Sequence, residues 1–563
     1  LLFMKLLCTL LFCILANIVI AQSEAFFNFD IVTGNTGGCN PDNFIVCNGK
    51  LFFTANTAAE GTELWVSDGT QVGTKLLKDI NTGAASAFDD FANKPYFVTM
   101  NNKVYFNANT LPNGYELWES DGTIAGTKLV FDLIPGSGSG VMNASKIAYN
   151  GKIYFSGFTT SGCFPFVYDG TTMTKLCDAD PSIKGIPDNY ESYIGYNNKV
   201  YFSASEGLSN TVGNELWVTD GTVSGTALVK DINTQFGYAG SNPSNFVVAN
   251  NKLFFEANDG INGYELWVTN GTAAGTNMVK DINVGSTDTK PLVLNWYGVY
   301  KNKIYFWAYN GALWSSDGTP AGTQKIGPNN LIQPFTKLAG LEIPNTFVEY
   351  NGKLYFQGGD NTSGTVDQEL WVTDGTTAGT KMVKDILPGT NGSSPYQLIV
   401  NKNSLYFQAM KNPLGDYHLF RSDGTADGTI SIAPGGSSVV APFTQRNTPI
   451  VYNTKLYFAS KWTGVTDNEL WEMTTFPMAI NKAAYNNTFS LYPNPNNGTF
   501  TLTLDNNNFT TGSLQVYDVL GRRVHQQRIT DKTQTIRLQQ PAGNYWVKLQ
   551  LDDAVLTRQV VVE

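Results

Sequence analysis

Histidine is nearly missing, with 2 in 563 residues. That scarcity removes most imidazole-based catalysis and His-rich metal sites. Charge is sparse at 15% of residues, and the net value of -10 argues against a nucleic-acid binder, which shows a basic face. No stretch sustains helical periodicity. No Gly-x-Ser-x-Gly, Walker or His-Glu-x-x-His motif occurs. What is present is 42% hydrophobic and 13% aromatic residues with 55 Gly, a composition of strands and tight turns. One core stops growing near ~250–300 residues, so this length requires several domains or a modular fold.

The N-terminus reads as an export signal. Met4-Lys5 precedes an apolar run from Leu6 to Ala21, and Val19-x-Ala21 before Gln22 places cleavage after Ala21. The run is short for a membrane span, and Leu1-Leu2-Phe3 reads as translation extended ahead of the start. Of 6 cysteines, Cys8 and Cys13 fall in this segment. Cys39, Cys47, Cys163 and Cys177 remain. Export permits disulfides, with Cys39–Cys47 and Cys163–Cys177 the local pairing, while free thiols are the alternative.

A unit of about fifty residues fills most of the chain. Glu63-Leu64-Trp65-Val66-Ser67-Asp68-Gly69-Thr70 recurs at Glu116-Leu117-Trp118, Glu215-Leu216-Trp217, Glu265-Leu266-Trp267 and Glu369-Leu370-Trp371. Weaker copies are Val167-Tyr168, Leu313-Trp314 and Leu419-Phe420, and Glu469-Leu470-Trp471 lacks the Asp-Gly-Thr turn. The aromatic positions are spaced by 47 to 57 residues, the period of propeller blades. Each unit reads as four strands. In the fifth these are Asn245 to Ala249, Leu253 to Ala257, Glu265 to Thr269 and Thr276 to Ile282, joined by Asn-Asn and Asn-Gly turns.

The array's ends complement each other. The ninth unit stops after its third strand near Glu472, while Phe26 to Ile31 followed by Asn40-Pro41-Asp42-Asn43-Phe44 mimics Leu228 to Ile232 followed by Asn242-Pro243-Ser244-Asn245-Phe246. The first mature strand is a fourth strand without its first three. Its pairing with the ninth unit would close a ring and remove edges. Nine blades exceed the usual four to eight; an eight-bladed ring with one divergent unit, or two rings, is the alternative.

The recurrent polar residues read first as structure. Asp68, Asp121, Asp169, Asp220, Asp317, Asp374 and Asp423 sit in the turn, where Asp bonds its own backbone; Asn270 does the same in the fifth unit. Trp65, Trp118, Trp217, Trp267, Trp314, Trp371 and Trp471 recur in nearly every unit, which fits packing between units better than sugar stacking. The fourth-strand acids Asp30, Asp79, Asp132, Asp231, Asp281 and Asp385 read as caps. Asn258-Asp259-Gly260 lacks the alternating ligands of a calcium loop. His418, where other units carry Glu, reads as a solvent-facing substitution. Catalytic, cofactor-binding and metal residues are therefore none. Unrepeated acids such as Asp188, Glu191, Glu206 and Glu342 would be needed for a glycosidase pair.

After Trp471 the unit stops. Leu491-Tyr492-Pro493-Asn494-Pro495 opens a new pattern of short alternating strands. It continues through Leu514 to Asp518, Leu520-Gly521-Arg522-Arg523-Val524, Gly543-Asn544-Tyr545-Trp546 and Thr557 to Glu563. About 75 residues in such strands suit a β-sandwich. The Tyr492-Pro493-Asn494-Pro495 entry, the Asp518-x-x-Gly521-Arg522 turn and Gly543-x-Tyr545 occur in the order of the type A C-terminal sorting domain of the bacterial type IX secretion system, which this segment resembles. That resemblance implies Sec export and passage across the outer membrane. Removal of the domain, with release or surface attachment, follows. The repeats resemble the ELWxTDGTxxGT proteins that often carry such a tail, a family described mostly by architecture.

The expected molecule is all-β. A signal peptide at 1–21 precedes a closed β-propeller at 22–476, of nine four-stranded blades with the N-terminal strand closing the ring. A linker at 477–487 leads to an Ig-like β-sandwich sorting domain at 488–563. Its expected partners are the type IX machinery and, through loops, glycans or surface proteins; nucleic acid, cofactors and a mature transmembrane segment are not expected. The expected function is binding or scaffolding at the surface or outside the cell. The alternative is a carbohydrate-active glycosidase or lyase with paired carboxylates.

Overall fold

The computed structural model describes residues 21–563 apart from 30, 32–37, 89–94, 142–145, 180–192, 206–211, 236–239, 283, 285–291, 309–310, 333–346, 362–365, 390–391, 413–416, 433–447, 461–467, 479–488, 505–511, 519–521 and 552–553. The export signal and most of the linker lie outside these residues. All regular structure among the described residues is strand, and no helix is long and apolar enough to cross a membrane. The chain divides into two compact units, Phe29–Ala433 with Ser438–Leu470 in one and Trp471–Glu563 as the bulk of the other.

The repeat forms sheets, in seven of which all four strands pair antiparallel in sequence order. The first sheet is Asp42–Cys47, Lys50–Thr57, Gly61–Ser67 and Lys75–Lys78. The fifth is Ser244–Ala249, Lys252–Asn258, Tyr264–Thr269 and Asn277–Lys280, within a few residues of the strands expected from its pattern. Nine such sheets occur among the described residues, eight of four strands and one of five. The fifth strand is Leu331–Ile332, which adds to the seventh sheet beside Lys353–Asp360. The ninth runs in the order Ala21–Phe29, Glu469–Met478, Lys455–Ser460, Ile450–Tyr452. Its third strand therefore continues past Glu472.

These strands are buried on both faces. Every residue of Gly61–Ser67 is buried, because a sheet lies against each side. The cores sit between consecutive sheets. Phe52 and Leu64 of the first pack with Val104, Phe106 and Trp118 of the second. Leu253 and Phe255 of the fifth pack with Tyr201 and Leu216 of the fourth. The same relation joins the last to the first: Leu51, Phe53 and Trp65 share a core with Tyr452, Tyr457 and Leu470. A fully buried aromatic or aliphatic side chain contributes roughly 1.5–3 kcal/mol, so these shared cores dominate the energetics.

Register corrects one expectation. The Trp of the third strand lies opposite a Phe of the second, as in Phe53↔Trp65 and Phe255↔Trp267. In the third sheet that pair is Phe155↔Phe166, so Phe166 rather than Tyr168 holds the aromatic place. Phe166 stands three residues before its turn Asp169, just as Trp65 stands three before Asp68.

The glycine of the Asp-Gly-Thr turn answers two demands. Gly424 has φ +91°, and an added Cβ would overlap the hydroxyl of Tyr355 in the preceding sheet. Gly151, in a hairpin with φ +71°, has nothing near its missing Cβ. Both positions disfavour a side chain on backbone grounds, but only Gly424 also faces a packed neighbour. Gly424→Ala should therefore lower stability by about 1–3 kcal/mol more than Gly151→Ala, the usual overpacking cost. Chemical denaturation of the two variants measures the difference, and equal losses would remove the neighbour's role.

Candidate functional site

The turn acids are bound to their own loop. In the first sheet Asp68 Oδ1 accepts from the Thr70 amide at 2.9 Å and the Thr70 hydroxyl at 2.6 Å. The Thr70 hydroxyl accepts from Gly73 N at 2.9 Å, and Thr74 donates to Thr70 O at 2.7 Å. With the Thr74 proton so used, Ser67 donates to Thr74 at 2.6 Å and accepts from Gly69 N at 3.0 Å. A Cβ at Gly73 would overlap the Asp68 carboxylate. Every polar or Gly position of Ser-Asp-Gly-Thr-x-x-Gly-Thr thus has a partner. The same bonds recur at Asp121, Asp220, Asp317, Asp374 and Asp423. Asn270 makes them through its amide oxygen, so no charge is required. The hydroxyl of Thr70 holds the exposed Asp68 carboxyl below its ordinary range.

The tryptophans sit between sheets. Phe255 lies 6.5 Å from the Trp267 ring, and the Lys230 ammonium of the preceding sheet lies 5.7 Å from it. Lys230 also donates to Thr276 O at 2.7 Å, in the turn that follows Trp267. Lys78 with Trp118 and Thr127, and Lys280 with Trp314 and Thr323, repeat this bridge. Trp65, Trp371 and Trp471 are buried as well, and among the described residues no third-strand tryptophan of the repeat presents an exposed ring.

A third element escapes the sequence pattern: the Glu of Glu-Leu-Trp. Glu63, Glu116, Glu215, Glu265 and Glu369 are fully buried. Glu63 accepts from the amides of Ile80 at 2.7 Å, Ala87 at 3.0 Å and Asn81 at 3.2 Å, all in the segment leading to the second sheet. Glu215 accepts from Ile232 N, Ser241 N and Ser241 Oγ, and Glu369 from Leu387 N, Ser393 N and Ser393 Oγ. In the ninth sheet Glu469 accepts from the Cys39 thiol at 3.1 Å, so Cys39 takes the place of Ser241 and Ser393. Strand alternation gave no warning, because a strand covered on both faces buries consecutive residues.

His418, in the Glu place of the eighth sheet, is buried with its Nδ1 3.1 Å from Ser431 Oγ; the solvent-facing expectation fails because the whole position is interior. All four cysteines are free in the structure, so neither local disulfide is made there. Cys39 and Cys47 lie in different cores. The unrepeated acids Asp188, Glu191, Glu206 and Glu342, and Asp30, lie outside the described residues.

Of the fourth-strand acids, Asp79 accepts from Gly83 N at 3.1 Å and Asp132 from Asn113 Nδ2 at 2.9 Å. Asp385 belongs to the one cluster of three metal-competent groups among the described residues. Asp367, Glu369 and Asp385 place carboxylate oxygens within 4.8 Å of one another. Burial, then Asp385 and Asp360, pushes Asp367 up to about 6. Glu369 is committed to loop amides, and Asp367 is not part of the repeat, so no spacing rule marked it.

In the tail, Phe489–Tyr492, Thr499–Leu504 and Thr533–Arg537 form one sheet, and Arg523–Arg528, Gly512–Tyr517, Gly543–Leu551 and Ala554–Val562 the other. The two share one core that includes Phe500, Leu514, Val547 and Val560. The expected strand at Leu520 to Val524 instead starts at Arg523. Asn494 accepts from Val561 N at 2.7 Å and donates to Gln559 O at 2.9 Å, which straps the Tyr492-Pro493-Asn494-Pro495 entry to the last strand. Tyr492 is exposed. Asp518 accepts from Arg522 N and Nε, closing the turn around Gly521, which lies outside the described residues. Tyr545 is buried and donates to Pro541 O at 2.7 Å, two residues before Gly543.

Residues 490–563 match the family described as secretion system C-terminal sorting domain. The tail is such a domain, and it marks the chain for export by the type IX secretion system to the cell surface or beyond. No curated protein matches the chain in sequence. Among solved structures it is similar to a puromycin hydrolase, at 11% identity and TM-score 0.33 over 67% of this chain and 59% of that one. It is similar to prolyl endopeptidases at 12% and 0.36, over 84% of this chain and 55% of that one. It is also similar to the β-propeller domain of the Trilobed protease from Pyrococcus furiosus, at 13% and 0.27, over 62% of this chain and all of that one. The chain thus spans little more than half the length of the first two.

The buried glutamates give the molecule a pH dependence. Burial pushes Glu63, Glu116, Glu215 and Glu369 from an ordinary 4.5 up to about 7, against the amide bonds that pull them down. Between those values the folded chain holds more protons than the unfolded one. Their stabilising contribution is complete below about pH 4.5 and is lost as pH rises through 7. The thermal midpoint should fall from pH 5 to pH 8 and level off above, with a shallower fall in Glu215→Gln. A midpoint that rises or stays flat across this window would contradict the assignment.

Proposed function

We propose that the nine sheets are blades of one closed propeller and that this ring is a binding or scaffold module delivered outside the cell by its tail. Closure is supported by a bond that repeats from sheet to sheet. Tyr196 donates to Asn251 O at 2.6 Å, from the fourth sheet to the hairpin of the fifth, and Tyr350 to Asn403 O at 2.7 Å, from the seventh to the eighth. Tyr452 of the ninth donates to Gly49 O of the first at 2.6 Å. Cys39 N and Asn40 N donate to Asn468 O just as Asn242 N donates to Asn214 O. Deleting residues 22–35 should lower the midpoint of the whole ring in urea, and a truncated chain that unfolds like the parent would refute closure.

The binding role rests on one observation: the recurrent turn acids and hydroxyls, and the glutamates that precede Leu-Trp, are already hydrogen-bonded to neighbouring backbone and side chains. Ligand chemistry is left to the loops, where the sheets differ. The net charge of -10 lies outside the tail, whose acids and bases nearly balance, and for the ring it favours neutral or cationic partners, glycans or surface proteins among them. The carbohydrate-active alternative would need an accessible carboxylate pair roughly 5–10 Å apart. Purified chain on a glycan array, run beside a polysaccharide hydrolysis screen, should show retention without turnover. Hydrolysis abolished by Asp367→Asn would overturn the binding reading.

A further inference from the structure

The tail's four-stranded sheet buries one face and shows the other to solvent. Inward go Leu514, Val516, Val547, Leu549 and Val560. Outward, on the two inner strands near one end of the sheet, Tyr517 stands directly opposite Trp546, and Gln559 continues the row. The next row is Gln526, Gln515 and Lys548, and the one beyond it Arg528, Ser513 and Gln550. Arg523 pairs with Tyr517 at the bulged end. Trp546 is 48% exposed, and Arg523, Gln526, Arg528 and Gln559 are exposed as well. Among the described residues of this face there is no carboxylate.

We propose that this face binds an anionic polysaccharide. Each group present matches a feature of such a chain. The Trp546–Tyr517 pair offers flat apolar surface for the C–H faces of sugar rings. Glutamine amides both donate and accept, as a hydroxyl-rich ligand requires. Arg523 and Arg528 form forked bonds to carboxylate, sulfate or phosphate groups, and Lys548 adds a point charge. The proposal depends on neither the closure of the ring nor its lack of catalysis.

Full-length chain run through gels containing polygalacturonate should be retarded, while dextran gels leave it unaffected. Trp546→Ala should weaken retention at least about tenfold, as for a central aromatic anchor. Arg523→Gln with Arg528→Gln should reduce both retention and its salt dependence. Trp546→Phe should keep most of the binding, and unchanged thermal midpoints exclude misfolding. Three results would overturn the proposal. They are a parent chain that migrates freely in polygalacturonate, retention untouched by Trp546→Ala, and a Trp546→Ala chain that binds normally but is no longer exported. The last would assign the face to the secretion machinery.

Discussion

In six of the nine sheets a glutamate removed from water fastens the third strand to the segment that leads into the next sheet. A buried charge is tolerated only where hydrogen bonds replace its hydration. Glu63 finds three amides in the segment leading to the second sheet, and only that segment's path supplies them. The loop is therefore fixed by the strand, and the strand's burial by the loop. Remove the loop's course and the carboxylate is stranded; remove the carboxylate and the Ile80 and Asn81 amides lose their acceptor, while Ala87 N keeps Thr62 O. The other features of the third strand depend on this junction, because it sets where the following sheet begins and hence which side chains meet.

The second fastening lies at the other end of the same strand. The turn after Trp267 holds itself through Asn270 and Thr272, and it also receives Lys230 from the preceding sheet at Thr276 O. Tyr201 of that sheet lies against Gly271. A sheet is thus gripped near both ends of its third strand, with the shared apolar core between. This explains why the signature is long and nearly invariant along the chain while the intervening loops vary freely.

Much of this was legible in the residues. Spacing located the strands within a few positions, the hairpin turns were marked by Asn-Gly and Asn-Asn, and the tail's entry motif located its sandwich. What escaped depends on contacts distant in sequence. Glu63 reads as a surface residue under strand alternation, yet both faces of its strand are covered. Gly424 reads as a turn former, while the tyrosine that forbids a side chain comes from the seventh sheet. Phe166 was passed over for Tyr168 because the third unit's short turn hides its alignment, which only pairing with Phe155 resolves. Cys39 suggested a disulfide, but it stands where a serine hydroxyl serves elsewhere, and a thiol can donate there too.

The residue after each tryptophan shows where the units are free to differ. Counting Phe166 and Phe420 in the tryptophan place, it is Val66, Val167, Val218, Val268 and Val372 in five sheets, but Glu119, Ser315, Arg421 and Glu472 in the other four. Glu119 is buried, and Lys103 at 2.8 Å and Lys128 at 3.6 Å balance it. Because both lysines reach solvent while the Glu119 carboxylate is desolvated, such pairs add little net stability over a well-packed Val. Its value lies elsewhere: charge at one junction and Val at another make the interfaces chemically unlike. With the signature positions fixed in common, such junction residues and the loops beside them are what tell one sheet from its neighbour. Identical sheets could pair in any order, whereas unlike junctions disfavour exchange.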